Sequence, residues 1–282
     1  MASSLFVSDL HGRIGRYRAL FETINKEAPA HVFLGGDLLP FHDQETFVKD
    51  FLADTFRKIR QSSPGAYPKI FLILGNDDAA TSVPAIIEGE SLGLWHYPHN
   101  RKIQLPQTTV YGYSCVPPTP FRLKDWERYD VSRYCDPGCI SPEEGIHSVP
   151  VEEHDIQWRT IEQDLVELAN GDDLRHAVFL FHAPPYDTCL DRAALDGRSI
   201  DHAPLDLHIG SLAIRRFIEA RQPLISLHGH VHEAARLTGD WKAKLGRTVC
   251  LGAAHDGPEL AVVRFDLSAP DNATRELIRC GA

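Results

Sequence analysis

Leu5-Phe6-Val7-Ser8-Asp9-Leu10-His11-Gly12 opens the chain with three apolar residues that run straight into a carboxylate and an imidazole. A short apolar run stopped by polar residues reads as a buried strand. The same shape recurs twice. His31-Val32-Phe33-Leu34 is stopped by Gly35-Gly36-Asp37, and the run from Lys69 to Leu74 by Gly75-Asn76-Asp77-Asp78. Between these runs, Ile14, Tyr17, Leu20, Phe21 and Ile24 recur at helical spacing, as do Phe47, Val48, Phe51, Leu52, Phe56 and Ile59. Strand, helix, strand, helix, strand predicts a parallel sheet with crossover helices.

The second half continues the pattern less regularly. Val110 to Tyr113 reads as a strand, and Ile156, Ile161, Leu165 and Leu168 as one helix leading into a strand from Ala177 to Phe181. Leu212, Phe217 and Ile218 mark a helix before a strand at Pro223 to Leu227, and Thr248 to Leu251 and Leu260 to Phe265 supply late strands. Residues 115 to 153, rich in Pro, Gly, aromatics and charge, read as an elaborated loop or small cap within one domain spanning 1–282. Residues 184 to 210 form another long loop. Loops this long are usually functional or mobile.

Five of the expected strands end in a residue able to bind metal: Asp9, Asp37, Asn76, His182 and His228. Ligands of open α/β sheets gather outside the carboxyl ends of the strands, so these ends converge on one edge. Asp9-x-His11 and Gly229-His230-Val231-His232 add imidazoles there. Asp9, His11, Asp37, Asn76, His182, His230 and His232 give four His, two Asp and one Asn, with no Cys. Such a mixed nitrogen and oxygen set suits Mn, Fe, Zn or Ni. Seven ligands exceed the need of one ion, and with Asp37 bridging they divide into two shells of four.

Asp9-Leu10-His11, Gly36-Asp37, Gly75-Asn76-Asp77-Asp78, a lone His182 and Gly229-His230-Val231-His232 resemble the motif series of the calcineurin-like metallophosphoesterases. His182-Ala183-Pro184-Pro185-Tyr186-Asp187-Thr188, His208-Ile209-Gly210-Ser211 and the run from His228 to Glu233 look closest to the Icc-related predicted phosphoesterases. The resemblance implies a four-layer αββα sandwich, two mixed sheets packed face to face with helices outside. It implies one ion on Asp9, His11, Asp37 and His232 and a second on Asp37, Asn76, His182 and His230, with Mn favoured. Two such ions would clamp a phosphoryl group and acidify a bridging water that attacks phosphorus in line.

One position departs from that pattern. The family's usual general acid is the His after Gly-Asn, and here it is Asp77. A carboxyl with an ordinary value near 3.9, lowered further by cations, is a poor proton donor at neutral pH. Its charge would also disfavour a dianionic monoester relative to a monoanionic diester, so phosphodiesterase activity is expected to exceed monoesterase activity. His42, close behind Asp37, is a candidate replacement for the missing acid. His208 and Asp187 could orient a ligand or lie at the surface. Arg13 could neutralise a phosphate or serve a solvated helix start. Trp126, Tyr129 and Tyr134 could stack on a base or form the miniature core of the 115–153 segment.

Composition narrows the classes further. The 282 residues carry 29 Lys and Arg against 39 Asp and Glu, a net charge of −10, with no basic run. That disfavours a grip on a nucleic-acid polymer. No apolar stretch approaches the 18 residues of a membrane span, and the opening residues lack the basic region of a signal peptide. The six cysteines are expected as reduced thiols in the cytoplasm; Cys135 and Cys139 alone lack the partners of a zinc site. The expected partner is a small phosphoester, with a homo-oligomer left open. The rival enzyme readings are a phosphomonoesterase or nucleotide hydrolase on the same site. A non-catalytic metal-binding interaction module is the reading of another class.

Overall fold

The computed structural model describes residues 3–62 and 64–281. In chain order the strands are β1 (Ser3–Val7), β2 (His31–Gly35), β3 (Lys69–Ile73), β4 (Arg101–Gln104), β5 (Thr109–Tyr113), β6 (Ala177–Phe181), β7 (Ser199–Ile200), β8 (Ala203–Pro204), β9 (Ile225–His228), β10 (Lys242–Leu245), β11 (Thr248–Gly252), β12 (Leu260–Asp266) and β13 (Thr274–Ile278). The apolar runs become strands because both of their faces find cover. Phe6, Phe33, Phe71, Val178, Leu180, Ile225 and Leu227 fill a core between two sheets. Their neighbours in sequence, Leu5, Val7, Val32, Leu34, Ile70, Leu72, Phe179 and Phe181, point the other way into cores shared with helices. Alternation at period two thus buries every residue of a run, which is why the runs read as continuous rather than alternating.

One sheet has the order β13-β12-β1-β2-β3 and the other β10-β11-β9-β6-β5-β4; β7 and β8 form a separate ribbon. β1, β2 and β3 are parallel, as are β5, β6, β9 and β11, while β12, β13, β4 and β10 run antiparallel to their neighbours. Two mixed sheets with helices outside make the four-layer αββα sandwich. β4, β10 and β13 carry no apolar run that the sequence could show, because they are polar edge strands, a place where charged side chains protect an open edge. Among the described residues no helix is long and apolar enough to cross a membrane.

Two helices differ from expectation. The run expected over Phe47–Ile59 is helical from Gln44–Thr46 through Phe47–Ala53 to Asp54–Ser62, with its middle segment widened into π-type turns. There the Phe47 and Phe51 rings sit 5.3 and 5.5 Å from that of Tyr17, on the helix Ile14–Glu27. The single helix expected from Ile156 to Leu168 is two, Glu153–Trp158 and Ile161–Ala169. Thr160 interrupts it with a capping box, its hydroxyl accepting from Gln163 N while Gln163 Oε1 accepts from Thr160 N. That reciprocal pair satisfies orphan donors at a new helix start.

Residues 115–153 contain bridge pairings, Val116 with Glu127 and Leu123 with Ile146, but no full strand or helix before Glu153. Their organiser is a fully buried ion pair between Lys124 and Glu127. Thr119 completes it, donating from its N and Oγ1 to Glu127 at 2.7 and 2.6 Å and accepting from Lys124 at its carbonyl. Asp125 accepts from Ala80 N, and Trp126 Nε1 donates to Asp78 O at 2.7 Å, which fixes this segment over the turn after β3. Asp130 accepts from Ser211 Oγ and Leu212 N, which ties this segment to the helix start that closes the 184–210 loop.

Candidate metal centre

The turns after β1, β2, β3, β6 and β9 lie at one edge, as parallel strands require. Close approach there depends on small residues. Gly36 has φ +94°, and a Cβ on it would sit 2.5 Å from His182 Nδ1; one on Gly75 would sit 2.4 Å from Asp37 Oδ1 and 2.6 Å from His182 Nε2. Asp9, His11, Asp37 and His230 all adopt left-handed backbone (φ 58°, 49°, 50° and 73°), which L side chains adopt at a cost. The turns hold each other: Asp9 N donates to Gly36 O at 3.0 Å, and His11 N to Asp37 O at 2.8 Å.

Two groups of donor atoms result, each within 4.8 Å of one another: Asp9, His11, Asp37 and His232, and Asp37, His182 and His230. Asp37 belongs to both. Asn76 joins the second, its Oδ1 3.1 Å from His182 Nε2. His182 Nδ1 donates to Gly35 O at 2.8 Å, which turns Nε2 toward Asp37 Oδ2 at 3.2 Å as well as Asn76 Oδ1. Three lone-pair donors converge there, so the place demands a cation, either a metal ion or a proton on Nε2. Burial alone would depress the His182 imidazole, but Asp37, Asp9 and Gly35 O outweigh it and push it up to about 10. His230 is pushed down to about 3 by burial and the His182 charge, which keeps its lone pair free.

In the first group, His11 Nε2 and His232 Nε2 face each other at 3.1 Å, and His232 Nε2 is 3.2 Å from Asp9 Oδ1. Asp9 Oδ1 also accepts from His230 N at 3.0 Å, while its Oδ2 is buried and has no partner among the described residues. Burial works against the Asp9 carboxylate, yet the His232 hydrogen bond and the surrounding imidazoles hold it well below the usual carboxylate range. A buried ionised oxygen without a partner costs several kcal/mol unless a cation meets it. This donor set therefore fits the pair of divalent ions.

The other candidates fall in different places. Asp77 faces the first group: its Oδ2 is 3.4 Å from His11 Nδ1, its Oδ1 accepts from Asn76 Nδ2 at 3.1 Å, and its N donates to Asp37 Oδ1 at 2.8 Å. Burial and the Asp37 charge raise its pKa, opposite to the lowering expected from the sequence, because that lowering depends on the two cations. His208 is bonded through Nδ1 to the buried Asp191 at 2.8 Å, with Asp187 3.7 Å from its Nε2. His42 is exposed beside the Phe41 ring and makes no hydrogen bond among the described residues. Arg13 is the exposed N-cap of the helix Ile14–Glu27, without a cap bond from its side chain. Trp126 is buried in the main core against the His99 ring and Tyr129 is buried within its segment, so neither is free to stack on a base, whereas Tyr134 is exposed.

His228 must be corrected. As the last residue of β9 it belongs to the strand ends expected to bind metal, but its side chain points away from that edge. Nδ1 donates to Ala183 O, Nε2 meets Ser226 Oγ, both at 2.8 Å, and the ring lies flat against Phe181. Both nitrogens are committed, so no lone pair reaches an ion.

Three buried positions support these turns without having been singled out as candidates in the sequence, although Asp78 stands inside the Gly75-Asn76-Asp77-Asp78 motif. Asp78 accepts from Leu38 N, Leu39 N and Gly75 N, clamping the Asp37 turn to the Asn76 turn; burial pushes it up to about 7 against those bonds. Asp191, fully buried, accepts from Asp187 N, Thr188 N and Gly210 N besides His208. Arg16 is buried behind Asp9. The usable signal for Arg16 is its place one turn before Leu20 on an otherwise apolar stripe.

A turn-borne cluster of potential metal ligands at the carboxyl edge of an αββα sandwich is the arrangement of a metallophosphoesterase. The chain belongs to the calcineurin-like phosphoesterase family, whose model matches residues 3–234, and it is a hydrolase of phosphoester bonds. It is similar in fold to the crystal structure of TT1561 of Thermus thermophilus (TM-score 0.62, 16% identity, covering 99% of each chain). It is also similar to a dimetal phosphatase from Danio rerio (TM-score 0.51, 11% identity, covering 93% of this chain and 91% of that one). Comparison with curated proteins finds no match.

Proposed function

We propose that the protein hydrolyses small phosphodiesters with the help of two divalent ions; the mixed nitrogen and oxygen donors suit Mn, Fe, Zn or Ni, and the family resemblance favours manganese among them. Asp9, His11, Asp37 and His232 would hold one ion, and Asp37, Asn76, His182 and His230 the other. When bound, the pair supplies Lewis-acid activation of water and stabilises charge on the phosphoryl oxygens. Asp37 orients both sites at once, and His182, its Nδ1 committed to Gly35 O, offers Nε2 in one fixed direction.

The observation that carries the diester preference is the Asp77 carboxylate facing His11. Two divalent ions bring +4, and Asp9, Asp37 and Asp77 bring −3, leaving about +1 for nucleophile and substrate together. A dianionic monoester overcharges that site by one unit more than a monoanionic diester. With two cations bound beside it, Asp77 would be ionised despite its burial and could not give a proton to a departing alkoxide, so good leaving groups are favoured. Of the two candidate imidazoles His208 and His42, His208 is the better held and is the candidate proton donor, oriented by Asp191; His42 has no such support. A cytoplasmic setting agrees with six free thiols. Turnover of an aryl diester and an aryl monoester with added Mn²⁺ tests the reading, and faster monoester hydrolysis refutes the diester preference.

A further inference from the structure

Arg16 is 3% exposed, in the first turn of the helix Ile14–Glu27, and carries a charge that no carboxylate contacts among the described residues. Its guanidinium instead donates to three main-chain carbonyls: Nη1 to Asp9 O, and Nη2 to Gly257 O at 2.6 Å and His255 O at 3.2 Å. We propose that Arg16 is the positioning residue of the Asp9 side of the centre, fixing that turn against the 253–259 loop so that the ion on Asp9, His11 and His232 is held.

The reason lies in the backbone. Asp9 and His11 both adopt left-handed conformations, which persist only where the surroundings enforce them. Asp9 N is held by Gly36 O, and its carboxylate by His230 N and His232. The Asp9 carbonyl is held by Arg16. The loop at the far end of the guanidinium reaches the other part of the same ion group: Asp256 accepts from Arg236 Nε at 2.6 Å, in the helix Ala234–Thr238 that follows His232. Two ligand-bearing segments of the first group are thus braced on one loop, with Arg16 as the link. Asn76 and His182 of the second group are braced on each other and on Gly35 O, without Arg16.

This inference rests on the dinuclear reading, and the experiment separates the two. Wild type, Arg16→Met and Arg16→Lys are stripped of metal, titrated with Mn²⁺, and followed by bound-metal analysis and electron paramagnetic resonance, with circular dichroism to confirm folding. Wild type is expected to bind two ions with the spectrum of an exchange-coupled pair. Arg16→Met is expected to keep one ion at wild-type affinity and bind the other roughly 10- to 100-fold more weakly, the range for losing a supporting partner, with the spectrum of an isolated ion at low loading. Arg16→Lys, able to reach one carbonyl group but not to fork between segments, is expected to fall between. Two ions at wild-type affinity in folded Arg16→Met overturn the proposal, as does equal weakening of both. If Arg16→Met does not fold, Arg16→Lys decides on the same criterion. Fewer than two ions in wild type would overturn the dinuclear reading itself.

Discussion

Replacing Asp77 by asparagine keeps the shape of the side chain and its acceptor for the Asn76 amide, and removes one negative charge beside His11. The magnitude follows from Coulomb's law. A unit charge about 7 Å from the phosphoryl group, at an effective dielectric near 20, repels each extra substrate charge by about 2.4 kcal/mol. The Asp77 side chain is 47% exposed, and solvent cuts that figure to about 1.2 kcal/mol. A monoester dianion carries one charge more than a diester, so Asp77→Asn should raise the monoester-to-diester ratio of kcat/KM by roughly tenfold. The assay compares 4-nitrophenyl phosphate with bis(4-nitrophenyl) phosphate, so that the leaving group is constant, at matched Mn²⁺ content. An unchanged or falling ratio with both ions still bound refutes the electrostatic explanation of the diester preference.

His208→Asn should slow alkyl diesters far more than nitrophenyl diesters, and a uniform loss across leaving groups would deny His208 a role in proton transfer. Lys124→Met strands the buried Glu127 carboxylate and should cost about 3–5 kcal/mol, read as a lowered urea midpoint; replacing both partners with apolar residues should restore most of it. Gly75→Ala drives a methyl group into Asp37 and His182, so calorimetric titration should show weakened binding of the second ion in a folded protein. Burial pushes His228 down to about 4 against about 6.5 in an unfolded chain. The unfolded state therefore binds the extra proton between those values, and stability present above pH 6.5 is lost as pH falls toward 4, by on the order of 3 kcal/mol. With metal removed by chelation, His228→Gln should flatten that slope in urea titrations, and an unaltered slope would exclude His228 as its source.

The sandwich was legible because strands buried on both faces leave uninterrupted apolar runs, as at Val32–Leu34 and Val178–Phe181, and because their ends carry chemistry. β4, β10 and β13 left no such trace: an edge strand such as Lys242–Leu245 is half exposed and needs no apolar run. The residues that meet in the two donor groups were legible by type and spacing, but the bonds that support them were not. Asp78 accepts from Leu38 N and Leu39 N, and Asp191 from Gly210 N, and a fold, not a local pattern, brings those donors to them. His228 shows the converse limit. The side-chain period of a strand places His228 on the opposite face from its neighbours, and a polar residue at a strand end carries no label of which face it takes.

The most direct measurement is anomalous X-ray scattering from crystals grown with Mn²⁺, collected on both sides of the manganese absorption edge. Two peaks about 3.5–4 Å apart are expected, one touching Asp9, His11 and His232, the other Asn76, His182 and His230, with Asp37 between them. A single peak, or density away from these seven side chains, would contradict the dinuclear centre.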